Sequence, residues 1–165
     1  MSPVKVKDVI IRRLQPDADL LEELQGLASR EKIRLGQISG IGALTRAAVG
    51  IFLPEQGQYQ VKQYEGELEI CSLIGNISLK DGRPFVHAHI VISDKEGRAF
   101  GGHLLAGCRI FVAEIIILLF QGAKRERLPQ PRLSGLALWP LDSEPPKVWS
   151  KKPATAARKI PKKPL

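Results

Sequence analysis

Phe85 to Phe120 reads FVHAHIVISDKEGRAFGGHLLAGCRIFVAEIIILLF, and the whole histidine complement of the chain, His87, His89 and His103, lies within it. Residues two apart on an extended strand point to one face, so His87 and His89 share a side. Val86 to Ser93 has the β-branched content of a strand. It stops at Asp94-Lys95-Glu96-Gly97, a turn sequence. A three-residue loop Lys95-Glu96-Gly97, with Gly97 in the left-handed conformation, pairs Asp94 with Arg98. Counting back along that ladder sets His89 opposite His103. Directly opposed residues share a face with Cβ atoms about 5 Å apart, so all three imidazoles project from one side. A loop one residue longer or shorter would turn His103 to the other face.

Three convergent imidazoles suit a zinc-like divalent ion, with a fourth position left to water or substrate. The competing reading is structural: half-buried histidines hydrogen-bonded across a sheet or a subunit interface. The spacing leaves both open.

Outward from this hairpin, the remaining elements suggest an α+β domain with a largely antiparallel sheet. Pro3 to Leu14 alternates as a strand. Asp17 is a candidate N-cap for a helix to about Arg30, in which Leu20, Leu21, Leu24, Leu27 and Ala28 recur at helical spacing. Asp19, Glu22 and Glu23 fall in its first turns, where the helix dipole favours acids. Arg34 to Ile41 is expected to be a strand closed by Gly40 and Gly42, and Leu44 to Leu53 a further one. After the turn Glu55-Gln56-Gly57-Gln58, a short strand covers Tyr59 to Tyr64 and a longer one Glu67 to Leu79. Gly75 is a bulge or close-approach point, and Asp81-Gly82 marks a turn. Gly107 to Phe120 is the last long strand. From Ile110 to Phe120 it is apolar on both faces but for Glu114, so it needs cover from other subunits or from Leu133 to Leu141.

The chain has 165 residues, enough for one well-buried domain. That domain is expected over 1–141, with its core at about 5–120. Cys71 and Cys108 lack metal-type spacing and read as reduced core thiols, which implies an intracellular, cytoplasmic setting. The start of the chain moves directly into alternating charge, unlike a signal peptide. The longest apolar run is too short to span a bilayer, so no membrane partner is expected.

Charge is segregated. Of a net +8, seven positive charges come from Lys147, Lys151, Lys152, Arg158, Lys159, Lys162 and Lys163, with no acid from Lys147 onward. Residues 142–165 read as a basic Pro/Lys/Ala tail, disordered when free. Such a tail is a candidate for salt-sensitive, sequence-independent DNA contact; the alternatives are a solubilising end or an acidic protein partner. The two glycines Gly101-Gly102 read as close packing of backbones rather than a phosphate loop.

The series Gly40-Ile41-Gly42-Ala43-Leu44, Tyr64-Glu65-Gly66 with Leu68-Glu69-Ile70, Ser72-Leu73-Ile74-Gly75-Asn76-Ile77-Ser78, Pro84-Phe85-Val86-His87-Ala88-His89 and Gly101-Gly102-His103-Leu104 with Gly107 resembles the PPC (plant and prokaryote conserved) domain. The resemblance runs from about Lys5 to Leu119. It implies a compact antiparallel α+β domain that assembles as a homotrimer. It also implies that the residues matching His87, His89 and His103 cluster and bind a metal such as zinc. In plant members the domain mediates self-assembly and contacts with transcription factors, while a separate AT-hook binds DNA. An AT-hook has an Arg-Gly-Arg-Pro-like core, and neither Arg158-Lys159-Ile160-Pro161 nor Lys162-Lys163-Pro164 carries one.

The expected function is therefore a non-enzymatic, trimeric, DNA-associated regulatory protein with a three-histidine metal site, its setting cytoplasmic with nucleoid association left open. The first alternative is a zinc-dependent metalloprotein or enzyme, with Glu67, Glu69 or Glu114 as candidate bases. The second is a small-molecule sensor in which Asn76 and Arg109 supply polar contacts. No nucleophile elbow or paired-carboxylate motif is present, so catalytic residues are not assigned.

Overall fold

The computed structural model describes residues 4–121 and 125–141. Six long strands, β1 (Lys5–Arg13), β2 (Gly36–Leu53), β3 (Gln58–Lys80), β4 (Arg83–Ser93), β5 (Ala99–Leu104) and β6 (Arg109–Gln121), form one antiparallel sheet in the order β1-β6-β2-β3-β4-β5. An additional pairing of β2 with β5, through Val49↔Leu104 and Gly50↔His103, curls the sheet into a barrel-like shape. The helix α1 (Leu20–Arg30) lays Leu20, Leu24, Leu27 and Ala28 on the core. Its partners there include Ile38, Leu73, Ile77, Ile90, Ile115 and Ile117.

The helix begins later than its sequence suggests. Asp17 is not the cap; it sits at φ 66° and pairs with Arg109 at 2.8 Å. Asp19 caps, its Oδ1 accepting from the Glu22 amide at 3.0 Å. Its Oδ2 also accepts from the Gly107 and Cys108 amides at 2.6 and 2.8 Å, so one carboxylate ties the helix to the β5–β6 connection. That long-range demand selects Asp19 over Asp17. Gln25 performs a second tie: its amide donates to Pro84 O at 2.7 Å and accepts from Val86 N at 3.0 Å, closing the open edge of β4.

Two predicted strand breaks are absent. Arg34 to Ile41 and Leu44 to Leu53 belong to one strand of 18 residues, β2, and Tyr59 to Tyr64 and Glu67 to Leu79 to one of 23 residues, β3. Gly40 and Gly42 read as terminators but lie at a bulge inside β2. Gly42 has φ +149°, and a Cβ there would strike the Val112 carbonyl oxygen of β6. The glycine thus serves interstrand approach within a continuing ladder. Gly75 is likewise a close-approach point, since a Cβ would lie 2.6 Å from His87 O.

On β6, Ile110, Ala113, Ile115 and Ile117 are buried, while Phe111 and Ile116 stay 67% and 44% exposed. The strand is covered on its core side only. Beyond it, β7 (Leu128–Gln130) and β8 (Leu136–Leu138) form a separate two-stranded ribbon. This segment docks through Leu79, whose amide donates to Arg125 O and whose carbonyl accepts from Arg127 N. It takes the place beside β3 that β2 leaves vacant beyond the Gly36↔Ile77 pair.

Candidate metal centre

The register expected for the histidine hairpin is the one observed. Asp94 N donates to Arg98 O at 3.1 Å, Gly97 takes φ 76°, and His89 stands opposite His103. The Asp94 carboxylate fixes the turn by accepting from the Glu96 and Arg98 amides and from the Arg98 guanidinium. One row of directly paired residues then crosses all six strands: Ile11, Ile116, Ser39, Ile74, His89 and His103. The neighbouring row runs Val9, Leu118, Gln37, Asn76 and His87. The histidines therefore occupy one end of the outer face of the sheet, opposite to the core.

The three rings meet. Centroids lie 5.4 Å apart for His87 and His89, 4.9 Å for His87 and His103, and 5.5 Å for His89 and His103. One ligand nitrogen from each lies within 4.8 Å of the others. Nitrogens on a tetrahedral zinc at roughly 2.0–2.1 Å are closer than that, so the rings must rotate inward to grip an ion. The donor set fits a borderline divalent metal and leaves a position open. Nδ1 of His103 is buried with no hydrogen-bond partner, an orphan that a ligated ion would satisfy. Tyr59 stacks on the His103 ring at 4.9 Å, and Gly50 makes room for it, since a Cβ there would lie 2.7 Å from Tyr59 Cδ1.

Electrostatics favour the neutral form of His87 and His103. Burial, helped by the Arg127 guanidinium and the other two histidines, lowers His87 to about 4. Burial, then His89 and Arg127, lowers His103. The unfolded chain binds a proton on His87 near pH 6.5 that the folded chain refuses until about pH 4. Stability of the metal-free protein is thus full above pH 6.5 and falls through the window down to about pH 4. Because His87 is only half-buried and screened, the loss from this group is held to about 2 kcal/mol. Urea midpoints at pH 7.5 and 4.5 measure it, and His87→Gln is expected to flatten the difference.

Two residues without a clear sequence signal complete the surroundings. Arg127 and Trp139, from the segment after β6, stand close together, the guanidinium carbon 5.5 Å from the Trp139 ring. A cavity of about 450 Å³ has His87, His89, Asn76 and Trp139 in its walls. Arg109 is not among them, being held by Asp17. Glu67, Glu69 and Glu114 are exposed, and the cluster that could hold a metal ion consists of the histidines alone among the described residues. Cys108 is buried, and burial pushes its thiol up to about 11, so it is an inert core group; Cys71 is exposed rather than in the core. The tail cations Lys147, Lys151, Lys152, Arg158, Lys159, Lys162 and Lys163 lie outside the described residues.

Comparison with known proteins bears on the family and the fold. The family model described as the Plants and Prokaryotes Conserved (PCC) domain matches residues 1–121. A plant- and prokaryote-conserved protein from Pyrococcus horikoshii is 40% identical with TM-score 0.80, over 86% of this chain and 96% of that one. A metal-containing protein from Archaeoglobus fulgidus is 32% identical with TM-score 0.78, over 84% and 97%. A protein from Bacteroides thetaiotaomicron named as a candidate DNA-binding protein is 26% identical with TM-score 0.76, over 82% and 94%. The bifunctional protein GlmU of Synechococcus sp. is 33% identical over 128 residues; that stretch is 76% of this chain but 19% of the curated relative. Among the described residues no helix is long and apolar enough to cross a membrane.

Proposed function

Because the chain belongs to the Plants and Prokaryotes Conserved domain family, we propose that it is a self-assembling metalloprotein, a homotrimer whose subunits each hold zinc or a similar divalent ion on His87, His89 and His103. The observation that carries this reading is the convergence of three imidazoles, with one ligand nitrogen of each within 4.8 Å of the others. His87 and His103 are held neutral by their surroundings, so at neutral pH they take an ion without first losing a proton. When bound, the ion supplies a Lewis-acidic open position. The relative from Archaeoglobus named as metal-containing favours the same reading.

Trimer formation is the association that the family resemblance implies, and the outer sheet face gives it a physical reason. Ile11, Ile116 and Ile74 are 69%, 44% and 58% exposed in one cross-strand row that ends on the histidines. Exposed isoleucines gathered along one row, interrupted by Ser39 between Ile116 and Ile74, are typical of a surface buried by another chain. Elemental analysis of the untagged full chain tests the proposal together with light scattering on the same sample. Near-stoichiometric divalent metal and three times the chain mass are expected. A metal-free protein that takes up no zinc on dialysis overturns the metal reading, and a monomer overturns the assembly.

A second reading, association with DNA, is favoured by the +7 charge gathered from Lys147 to Lys163 and by the Bacteroides relative's name. Three such tails on one trimer would add avidity through effective concentration. Affinity is expected to fall steeply between 50 and 200 mM salt, as counterion release requires. Deleting 147–165 is expected to abolish low-salt DNA binding in a mobility-shift assay; unchanged binding removes this reading. Loss of binding to an acidic protein instead would make that protein class the tail's partner.

A further inference from the structure

Arg127 is a buried cation whose visible partners are all neutral. Its side chain reaches the outer sheet face beside His87, and the residue is only 4% exposed. Nε donates to Ser78 Oγ at 2.9 Å, Nη2 to Asn76 Oδ1 at 2.5 Å and Nη1 to Ala137 O at 3.3 Å. The rings of Phe85 and Trp139 each lie 5.5 Å from its guanidinium carbon. Among the described residues no carboxylate pairs with it, whereas Arg98 has two and Arg109 has one. Pinning the segment after β6 would explain the three hydrogen bonds. It would not explain why a full charge is placed there, since burying an unpaired cation costs more than burying a neutral donor.

The cavity next to it has the complementary features. Asn76 and Trp139, both touching the guanidinium, are cavity walls. Arg127 occupies Asn76 Oδ1, which orients the amide and leaves its NH₂ group as the donor. Ile74, Phe120 and Trp139 make most of the remaining surface apolar, and among the described residues no acidic one lines the cavity. Arg127 does not itself line the cavity but stands directly behind its Asn76 and Trp139 walls. A site with an amide donor in its wall, a buried positive charge behind that donor and hydrocarbon around it selects an anion with an apolar body.

We propose that this cavity binds a small organic carboxylate, with Asn76 as a hydrogen-bond donor to it and Arg127 as the buried charge behind Asn76 that orients the amide and favours an anion. The proposal shares the cavity with the metal reading but not its premise. A divalent ion on three neutral imidazoles would add positive charge and strengthen the same preference. Inorganic phosphate satisfies the charge but makes no use of Ile74, Phe120 and Trp139. Arg127 acts here as a positioning residue and Asn76 as a ligand contact.

The test is a titration of the full chain, zinc-loaded and zinc-free, with acetate, butyrate and inorganic phosphate. Trp149→Phe makes Trp139 the sole indole, and its fluorescence reports binding. Saturable butyrate binding, tighter than acetate or phosphate, is expected in both forms and tighter with zinc. Arg127→Met and Asn76→Ala are each expected to weaken butyrate at least about tenfold, the range of one charge-assisted hydrogen bond. Arg127→Lys is expected to fall between, because it keeps the charge without the fork. Should Arg127→Met fail to fold, Asn76→Ala carries the test. Absence of saturable butyrate binding, phosphate binding as tight as butyrate, or butyrate binding indifferent to both substitutions overturns the proposal. Failure of zinc to bind sinks the metal reading alone, because the zinc-free titration stands separately.

Discussion

His103→Ala is expected to abolish stoichiometric zinc binding while leaving the metal-free fold about as stable as the parent. His103 is the one member of the cluster supplied by β5, so its loss leaves only the His87–His89 pair of β4. Removing an outer-shell partner of a metal ligand costs about 10–100-fold in affinity, and removing a ligand outright is expected to exceed that range. The metal-free effect has the opposite tendency. His103 Nδ1 is buried and unpartnered, and relieving an unsatisfied polar atom gains about 1–3 kcal/mol. Lost packing against Tyr59 offsets that gain. Zinc content and urea midpoint measured on the same variant separate the outcomes. Retained stoichiometric zinc removes His103 from the site, and a metal-free fold several kcal/mol weaker makes the cluster structural.

The second large effect is expected at Asp19. Asp19→Ala should destabilise the domain by about 4–7 kcal/mol, composed of a helix cap worth about 1 and two charge-assisted bonds to Gly107 and Cys108 worth about 1.5–3 each. Asp19→Asn keeps the cap and can serve only part of the second pair, so about half the loss is expected. The comparison variant is Asp17→Ala. Its ion pair with Arg109 is exposed on both sides, and such pairs contribute about 0–1 kcal/mol. Urea unfolding of the three variants reads these differences directly. Equal losses at Asp17 and Asp19 would refute the assignment of the cap and of the β5–β6 tie.

The histidine hairpin was legible because turn chemistry and a two-residue period determine register locally. Asp94 to Gly97 specify a loop, the loop specifies Asp94 against Arg98, and His89 must then face His103. The helix, the reduced thiol at Cys108 and most strand positions follow from periodicity and composition in the same way. Gly40 and Gly42 misled because a glycine that ends a strand and one that lets a bulged strand pass close to its neighbour look identical in sequence. The difference lies with Val112, some seventy residues away. Asp17 misled for a related reason: two acids of equal capping ability precede the helix, and only the amides of Gly107 and Cys108 distinguish them.

The sequence by itself determined the antiparallel α+β class, the family, the shared face of His87, His89 and His103, and the segregation of positive charge beyond Lys147. Each of these rests on short-range spacing, local turn geometry or composition. Tertiary structure alone decided that the histidine row continues as Ile74, Ser39, Ile116 and Ile11 across the outer sheet, that β2 also closes on β5, and that Arg127 and Trp139 arrive beside the imidazoles. Those facts depend on strand order and on where a late segment docks. Both are contacts between residues far apart in the chain, which no local period encodes.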